Sequence, residues 1–190
     1  MSKLFPSLIL ATALGAGAAL ADPGAAMSDY AAAQSADWLI SDTLVAAIRA
    51  QNAATAGYDQ DRIDALDSTW RAEVGTDGSA LIDSVLGNDA SALLSAGVAA
   101  SGGVITEVFV MDARGLNVAS SGVTSDYWQG DEAKFQQTFP VGAGAVHVSD
   151  VEFDESTQTY QGQVSMTLTD PETGAPIGAV TFGLNAQSFF

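Results

Sequence analysis

The chain has 190 residues, 23 of them acidic and only six basic, and it contains no cysteine; its net charge is −17. That sign argues against nucleic acid and anionic membrane surfaces as partners, and the missing thiol excludes disulfides and thiolate metal sites. The length is that of one domain with a real core, and the scattered acidic residues read as a solubilising surface rather than a disordered tail.

Met1-Ser2-Lys3, an apolar run from Leu4 to Leu20 and the triplet Ala19-Leu20-Ala21 read as a secretory signal peptide cleaved after Ala21. An uncleaved amino-terminal anchor is the alternative. Cleavage leaves five basic residues against 23 acidic ones, a net charge of −18, in a single domain over 22–190. The mature chain is then expected in the periplasm or outside the cell. No later apolar run approaches the ~20 residues that a membrane span needs.

Ser28 is placed to cap a long helix from Asp29 to about Ala56, stopped by Gly57. Ile40, Leu44 and Ile48, with Trp38 and Val45 beside them, form one apolar stripe along it. Asp59 or Asp61 opens a second helix bearing Ile63, Leu66, Trp70 and Val74, and Gly75-Thr76-Asp77-Gly78 breaks it. Two short helices follow, Ser79–Leu86 and Asp89–Ala99, the latter capped by Asn88 or Asp89. Past Ser101-Gly102-Gly103 the pattern changes to strands. Val104–Met111 is apolar on both faces apart from Thr106 and Glu107 and is expected centrally in a sheet. Asp112–Gly115 is a hairpin turn, and Leu116–Ser120 returns.

A polar stretch leads into DYWQGDEAKFQQTF at 126–139. Asp131 starts a short helix that sets Lys134, Phe135 and Thr138 on one side, and Pro140–Gly144 ends it. The remainder, Val146–Asn185, reads as strand, loop, long strand, turn and closing strand. Tyr160, Gly162, Val164, Met166 and Leu168 alternate with Gln161, Gln163, Ser165, Thr167 and Thr169, the period of a half-buried antiparallel strand. Helices, hairpin, short helix and three more strands make an α+β chain.

Several of these segments, in this order, resemble the Cache domains, extracellular PAS-like sensor modules. VFVMDARGLNVASSG at 108–122 resembles their first hairpin, and DYWQGDEAKFQQTF their pocket helix. SDVEFDESTQTYQGQVSMTLTDPETGAPIGAVTFGLN at 149–185 resembles their last three strands, with the D-x-x-T-G-x-x-I-G-x-V hairpin running from Asp170 to Val180. The resemblance implies an antiparallel sheet of five or six strands behind a long amino-terminal helix. It also implies a non-enzymatic sensor role: binding a small amine, amino acid or carboxylate on the sheet face under the pocket helix. The chain stops at Phe190, like stand-alone secreted members, so a signal is expected to pass by contact with another protein, such as a membrane sensor. Members that grip an amino-acid carboxylate use an Arg in the pocket helix. Here that helix has Asp131, Glu132 and Lys134-Phe135, and Lys134 is the cation left to take a carboxylate as a point charge. Arg114 reads as a solvated turn residue.

The expected ligand-binding residues are Asp126, Tyr127, Trp128, Asp131, Lys134, Phe135 and Tyr160. Aromatic rings beside carboxylates suit an amine, through cation–π contact and counter-charge. Equally, Trp128 and Phe135 serve to seal the short helix onto the sheet, and Tyr160 serves as core with a wet tip. Gln161, Gln163, Ser165 and Thr167 face ligand or water, depending on which face the long helix covers. His147, with Asp150, Glu152, Asp154 and Glu155 near it in sequence, reads as a surface histidine ahead of a metal ligand or general base. The phase change from Val146 and Val148 to Val151 and Phe153 predicts a bulge between them. Asp59–Asp64 lacks the glycine of a calcium loop, and Gly142-Ala143-Gly144 precedes a strand instead of following one. No metal and no cofactor is expected. The alternative function is an interaction protein whose long helix pairs with its copy in a homodimer or docks on a membrane sensor, with a vestigial pocket.

Overall fold

Ile177–Leu184 is nearly unbroken apolar sequence, and such a run is stable only with both faces covered. In a computed structural model, which describes residues 22–39, 41–154 and 158–190, it forms most of the central strand. The elements in chain order are α1 (Pro23–Trp38), α2 (Asp42–Thr55), α3 (Gln60–Glu73), α4 (Ala80–Leu86), α5 (Asp89–Ala100), β1 (Ile105–Met111), β2 (Asn117–Ser120), α6 (Ala133–Gln136), β3 (Val146–Val148), β4 (Glu152–Asp154), β5 (Thr159–Thr169) and β6 (Pro176–Asn185). A 3-10 turn, Ala186–Phe189, follows β6. The six strands form one antiparallel sheet in the order β2-β1-β6-β5-β3, with β4 also paired to β5. The fold is α+β with a helical amino-terminal half, as expected, and β1 is an inner strand. The segment 1–21, read as a signal peptide, lies outside the described residues, as do Ile40 and Glu155.

Register decides the two faces. Val164 pairs with Phe182 and Met166 with Val180, while Val108 and Val110 meet the same two β6 residues from the other side. These residues pack with Met27 and Ala31 of α1, Leu44 and Ile48 of α2 and Leu94 of α5 in the main core. The opposite face carries Glu107, Phe109 and Met111 of β1, Ala179, Thr181 and Gly183 of β6, and Gln161, Gln163 and Ser165 of β5. The helices therefore cover the apolar face, and the polar face is left to the loop between β2 and β3.

Two expectations change. The single helix over Asp29–Ala56 is two helices: Ser41 adopts an extended conformation and its side chain accepts a hydrogen bond from the Leu44 amide, capping α2 anew. Helix α1 also begins earlier, at Pro23, a residue suited to a first helical turn. The bulge predicted in the 146–153 segment is present as an interruption between β3 and β4. Val148 and Val151 are three residues apart, yet both pack on the helix-covered core. Asp59 and Asn88 are the caps of α3 and α5, each accepting from an amide three residues on.

A second cluster holds α3 and α4 to the hairpin: Ile63, Trp70, Ile82 and Val85 pack with Leu116 and Tyr127. The hairpin turn is built on Asp112, which is fully buried. One carboxylate oxygen accepts from the amides of Arg114 and Leu116 at 2.8 and 3.0 Å. The other accepts from Gln51 Nε2 and Thr55 Oγ1 at 3.2 and 2.8 Å. Four donors satisfy a charge that is otherwise costly to bury. Gly115 has φ +82°, and a Cβ there would lie 2.6 Å from Gly130 Cα, so only glycine fits.

Candidate functional site

The segment from Ser121 to Phe139 folds over the polar face and is fixed at three points. At the first, Asp67 of α3 accepts from the backbone amides of Tyr127 and Trp128 at 2.9 and 3.0 Å. Arg71, one turn on, pairs with Asp67 at 2.6 Å and with Asp126 at 2.7 Å. At the second, buried Asn117 of β2 donates through Nδ2 to Thr124 Oγ1 and to the Asp126 carbonyl. At the third, Phe135 stacks on Phe139 with ring centroids 5.5 Å apart, over Phe109, Met111 and Ala179 of the sheet.

Between this loop and the sheet lies a cavity of about 120 Å³. Glu107, Phe109 and Gln163 line it from the sheet, and Val123, Thr124, Ser125, Gln129 and Lys134 from the loop and α6. The Lys134 ammonium sits 5.5 Å from the centre of the Phe109 ring. It donates to Gln129 Oε1 at 3.2 Å and pairs with Glu132 at 2.9 Å, with its side chain only 16% exposed. Gln129 is itself buried and anchored, its Nε2 donating to the Asp126 carbonyl. Across the cavity Gln163 Nε2 donates to Glu107 Oε1 at 3.2 Å. Both signs of charge thus stand over one aromatic floor.

Of the seven expected ligand-binding residues, Lys134 alone lines this cavity. Phe135 lies beneath it as core. Asp126, Tyr127 and Trp128 are turned toward α3 and the hairpin: Asp126 is held by Arg71, and Trp128 Nε1 donates to the Arg114 carbonyl at 2.8 Å. Tyr127 stacks on Trp70 with centroids 5.4 Å apart. Burial pushes its phenol well above the ordinary range, and the nearby Asp112 and Tyr58 add to the shift. Asp131 is exposed. Tyr160 lies on the other face of β5, half-exposed and edge-on to Phe153 at 5.2 Å. It shares that face with Gly162, beside which Met27 of α1 packs.

Glu107, Phe109, Thr124 and Gln129 were not named as site residues from the sequence, and Gln163 only as a residue facing ligand or water. Glu107 and Phe109 are two apart on a strand and so share a face, which was legible; that Gln163 joins them follows from β1 and β5 both pairing with β6. Gln161 and Gln163 face the loop side, and the helices cover the other face. His147 pairs with Ser165 and Glu152 with Gln161, so both belong to the polar face. With Asp150, Glu107, Gln161 and Gln163 they border an open groove of about 730 Å³ beside the cavity. Among the described residues no group of three or more His, Cys, Asp or Glu side chains is arranged to hold a metal ion.

No protein-family model matches the chain, and no curated protein does. Solved structures do. The ligand-binding domain of the Campylobacter jejuni chemoreceptor Tlp3, in complex with 4-methylisoleucine, is 10% identical with a TM-score of 0.40, over 88% of this chain and 60% of that one. The V. cholerae histidine kinase DctB sensor domain is 13% identical, with a TM-score of 0.41 over 87% and 58%. The ligand-binding domain of the Pseudomonas aeruginosa amino acid chemoreceptor PctC, in complex with GABA, is 10% identical, with a TM-score of 0.42 over 88% and 63%. The chain thus spans about 60% of the length of these structures. They are sensor domains, the class to which the sequence resemblance pointed. A likeness this distant carries no argument about what this chain binds.

Proposed function

We propose that the chain is a non-enzymatic binding module for a small amino carboxylate, held in the cavity between the polar sheet face and the loop at 121–139. The observation that carries this reading is that Lys134 and Glu107 line one cavity with Phe109 as its floor. In this reading the ligand carboxylate displaces Glu132 from Lys134, and its ammonium group meets Glu107. Both are charge-assisted contacts, roughly twice as strong as hydrogen bonds between neutral groups. The volume of about 120 Å³ is well below the ~300–1,000 Å³ of drug-sized sites, so the ligand has few heavy atoms.

The test is a titration of glycine, β-alanine, GABA, acetate and ethylamine into the wild type and Lys134→Gln. We expect an amino carboxylate to bind more tightly than acetate or ethylamine. Lys134→Gln should weaken it by about 10- to 100-fold, the worth of a charge-assisted hydrogen bond. Equal binding to both proteins would remove Lys134 from the site, and silence across the panel would remove the function.

We place the module outside the cytoplasm, with a membrane sensor as the protein that reads it. Among the described residues no helix is long and apolar enough to cross a membrane. The alternative, pairing of copies through the amino-terminal helix, has less support: Met27, Ala31, Leu44, Val45 and Ile48 spend the apolar stripes of α1 and α2 inside the fold.

A further inference from the structure

Gly183 of the central strand stands between two long polar side chains. It pairs with Glu107 of β1 on one side and with Gln163 of β5 on the other. Those two residues are therefore two strands apart, roughly 10 Å at ~4.8 Å per strand. Their side chains nevertheless meet, Gln163 Nε2 donating to Glu107 Oε1 at 3.2 Å. A second link runs beside the first. The register of β1 on β6 shifts between Ile105 and Glu107, and Thr106, at that irregularity, donates through Oγ1 to Gln161 Oε1 of β5 at 3.0 Å.

These links occupy the space that a side chain at 183 would need. A Cβ there would lie 2.6 Å from Glu107 Cγ, 2.7 Å from Thr106 Oγ1 and 3.1 Å from Glu107 Oε1. The backbone does not call for glycine, because φ at Gly183 is not positive. What the glycine provides is room. Gly178 of the same strand is a different case: a Cβ there would meet the Met111 carbonyl, part of the sheet itself. At 183 the atoms in the way all belong to side chains, so an alanine displaces Glu107 rather than the strand.

The direction of Glu107 matters because it borders two spaces. It lines the cavity with Lys134 and also the open groove beside it, as Gln163 does. A Glu107 carboxylate released from Gln163 has the groove to turn into.

We propose that Gly183 is a positioning residue of the binding site: its missing side chain lets Glu107 lie across β6 to Gln163, which holds the carboxylate at the cavity for the ligand's ammonium group. The proposal rests on the amino-carboxylate reading given above. It makes Gly183, which does not line the cavity, a determinant of selectivity for ligands that carry an ammonium group.

Gly183→Ala, Glu107→Ala and the double variant are compared with the wild type, first without ligand, by NMR of the Gln163 side-chain amide. Its resonances should move in Gly183→Ala toward their positions in Glu107→Ala. Affinities for β-alanine and acetate follow. The wild-type preference for β-alanine should fall about 10-fold in Gly183→Ala, the worth of a hydrogen bond to a charged group, and no further in the double variant than in Glu107→Ala. A Gln163 amide unmoved by Gly183→Ala, or a preference left intact while both affinities fall together, overturns the proposal. If Gly183→Ala does not fold, the double variant decides: removing Glu107 should restore folding and the urea midpoint, and no recovery overturns the proposal. A wild type that binds neither ligand removes the amino-carboxylate reading, and the Gln163 amide then decides by itself whether Gly183 positions Glu107.

Discussion

Tyr127 illustrates how a residue's neighbours fix its chemistry. Stacked on Trp70 and almost wholly buried, its phenol is pushed well above the ordinary value of about 10. The neutral form is the one the fold favours. Its contribution to stability is therefore complete below about pH 10 and lost as pH rises from there toward the folded value. We expect the tyrosinate absorbance reached before alkaline unfolding to be the same in the wild type and in Tyr127→Phe, with Tyr127 ionising only as the protein unfolds. A wild-type excess of one tyrosinate before unfolding would contradict this. The sequence placed Tyr127 beside Trp128 and two carboxylates and suggested one pocket for all of them. Alternation fails as a guide in a loop, because nothing periodic says which way each side chain turns. Here Asp67 takes the amides of both Tyr127 and Trp128, and those two rings join the α3 cluster while Phe135 and Phe139 pack on the sheet.

At the scale of elements, the loop at 121–139 has little regular structure of its own, since α6 is a single turn. Its shape comes from α3, through the Asp67 and Arg71 pair of carboxylate and guanidinium. Asp67→Ala leaves the amides of Tyr127 and Trp128 without an acceptor and should cost about 2–4 kcal/mol in urea unfolding. It should also weaken any ligand held by Lys134, because the same loop carries Gln129. Asp126→Ala, which loses only a partly exposed partner of Arg71, should cost under about 1 kcal/mol. Comparable losses in the two variants would mean that the amide hydrogen bonds do not hold the loop. The strands were far more legible. Tyr160–Leu168 alternates in sequence and in the sheet alike, and the 146–153 phase change marks a real interruption. The break between α1 and α2 was missed because the apolar period runs on past it, while Ser41 is a cap only once its side chain turns back to the Leu44 amide.

Across the whole molecule, Arg49 of α2 reaches the turn between β5 and β6, tying the helical half to the far end of the sheet. Its Nε and Nη2 donate to the two oxygens of Asp170 at 2.8 Å each, and Nη2 also meets Glu172 at 2.9 Å. The guanidinium holds the Asp170 carboxyl below the usual carboxylate range; burial opposes this, and the amides of Glu172 and Thr173 assist it. A depressed carboxyl stabilises the fold above the unfolded value of about 3.9 and stops doing so as pH falls through its folded value. The melting temperature of Arg49→Gln should therefore lie below that of the wild type at neutral pH, with the gap closing as pH falls below about 4. A gap that persists in acid would assign the contact to packing. The sequence by itself determined the order and type of the elements, the alternation of β5 and the central place of Val104–Met111. Those are properties of local period and composition, which hold wherever the segment ends up. Only the tertiary structure decided that helices cover the apolar face, that Glu107 and Gln163 line one cavity with Lys134, and that Tyr127 stacks on Trp70 of α3 instead. Each of those depends on register and packing between segments tens of residues apart, which no local pattern encodes.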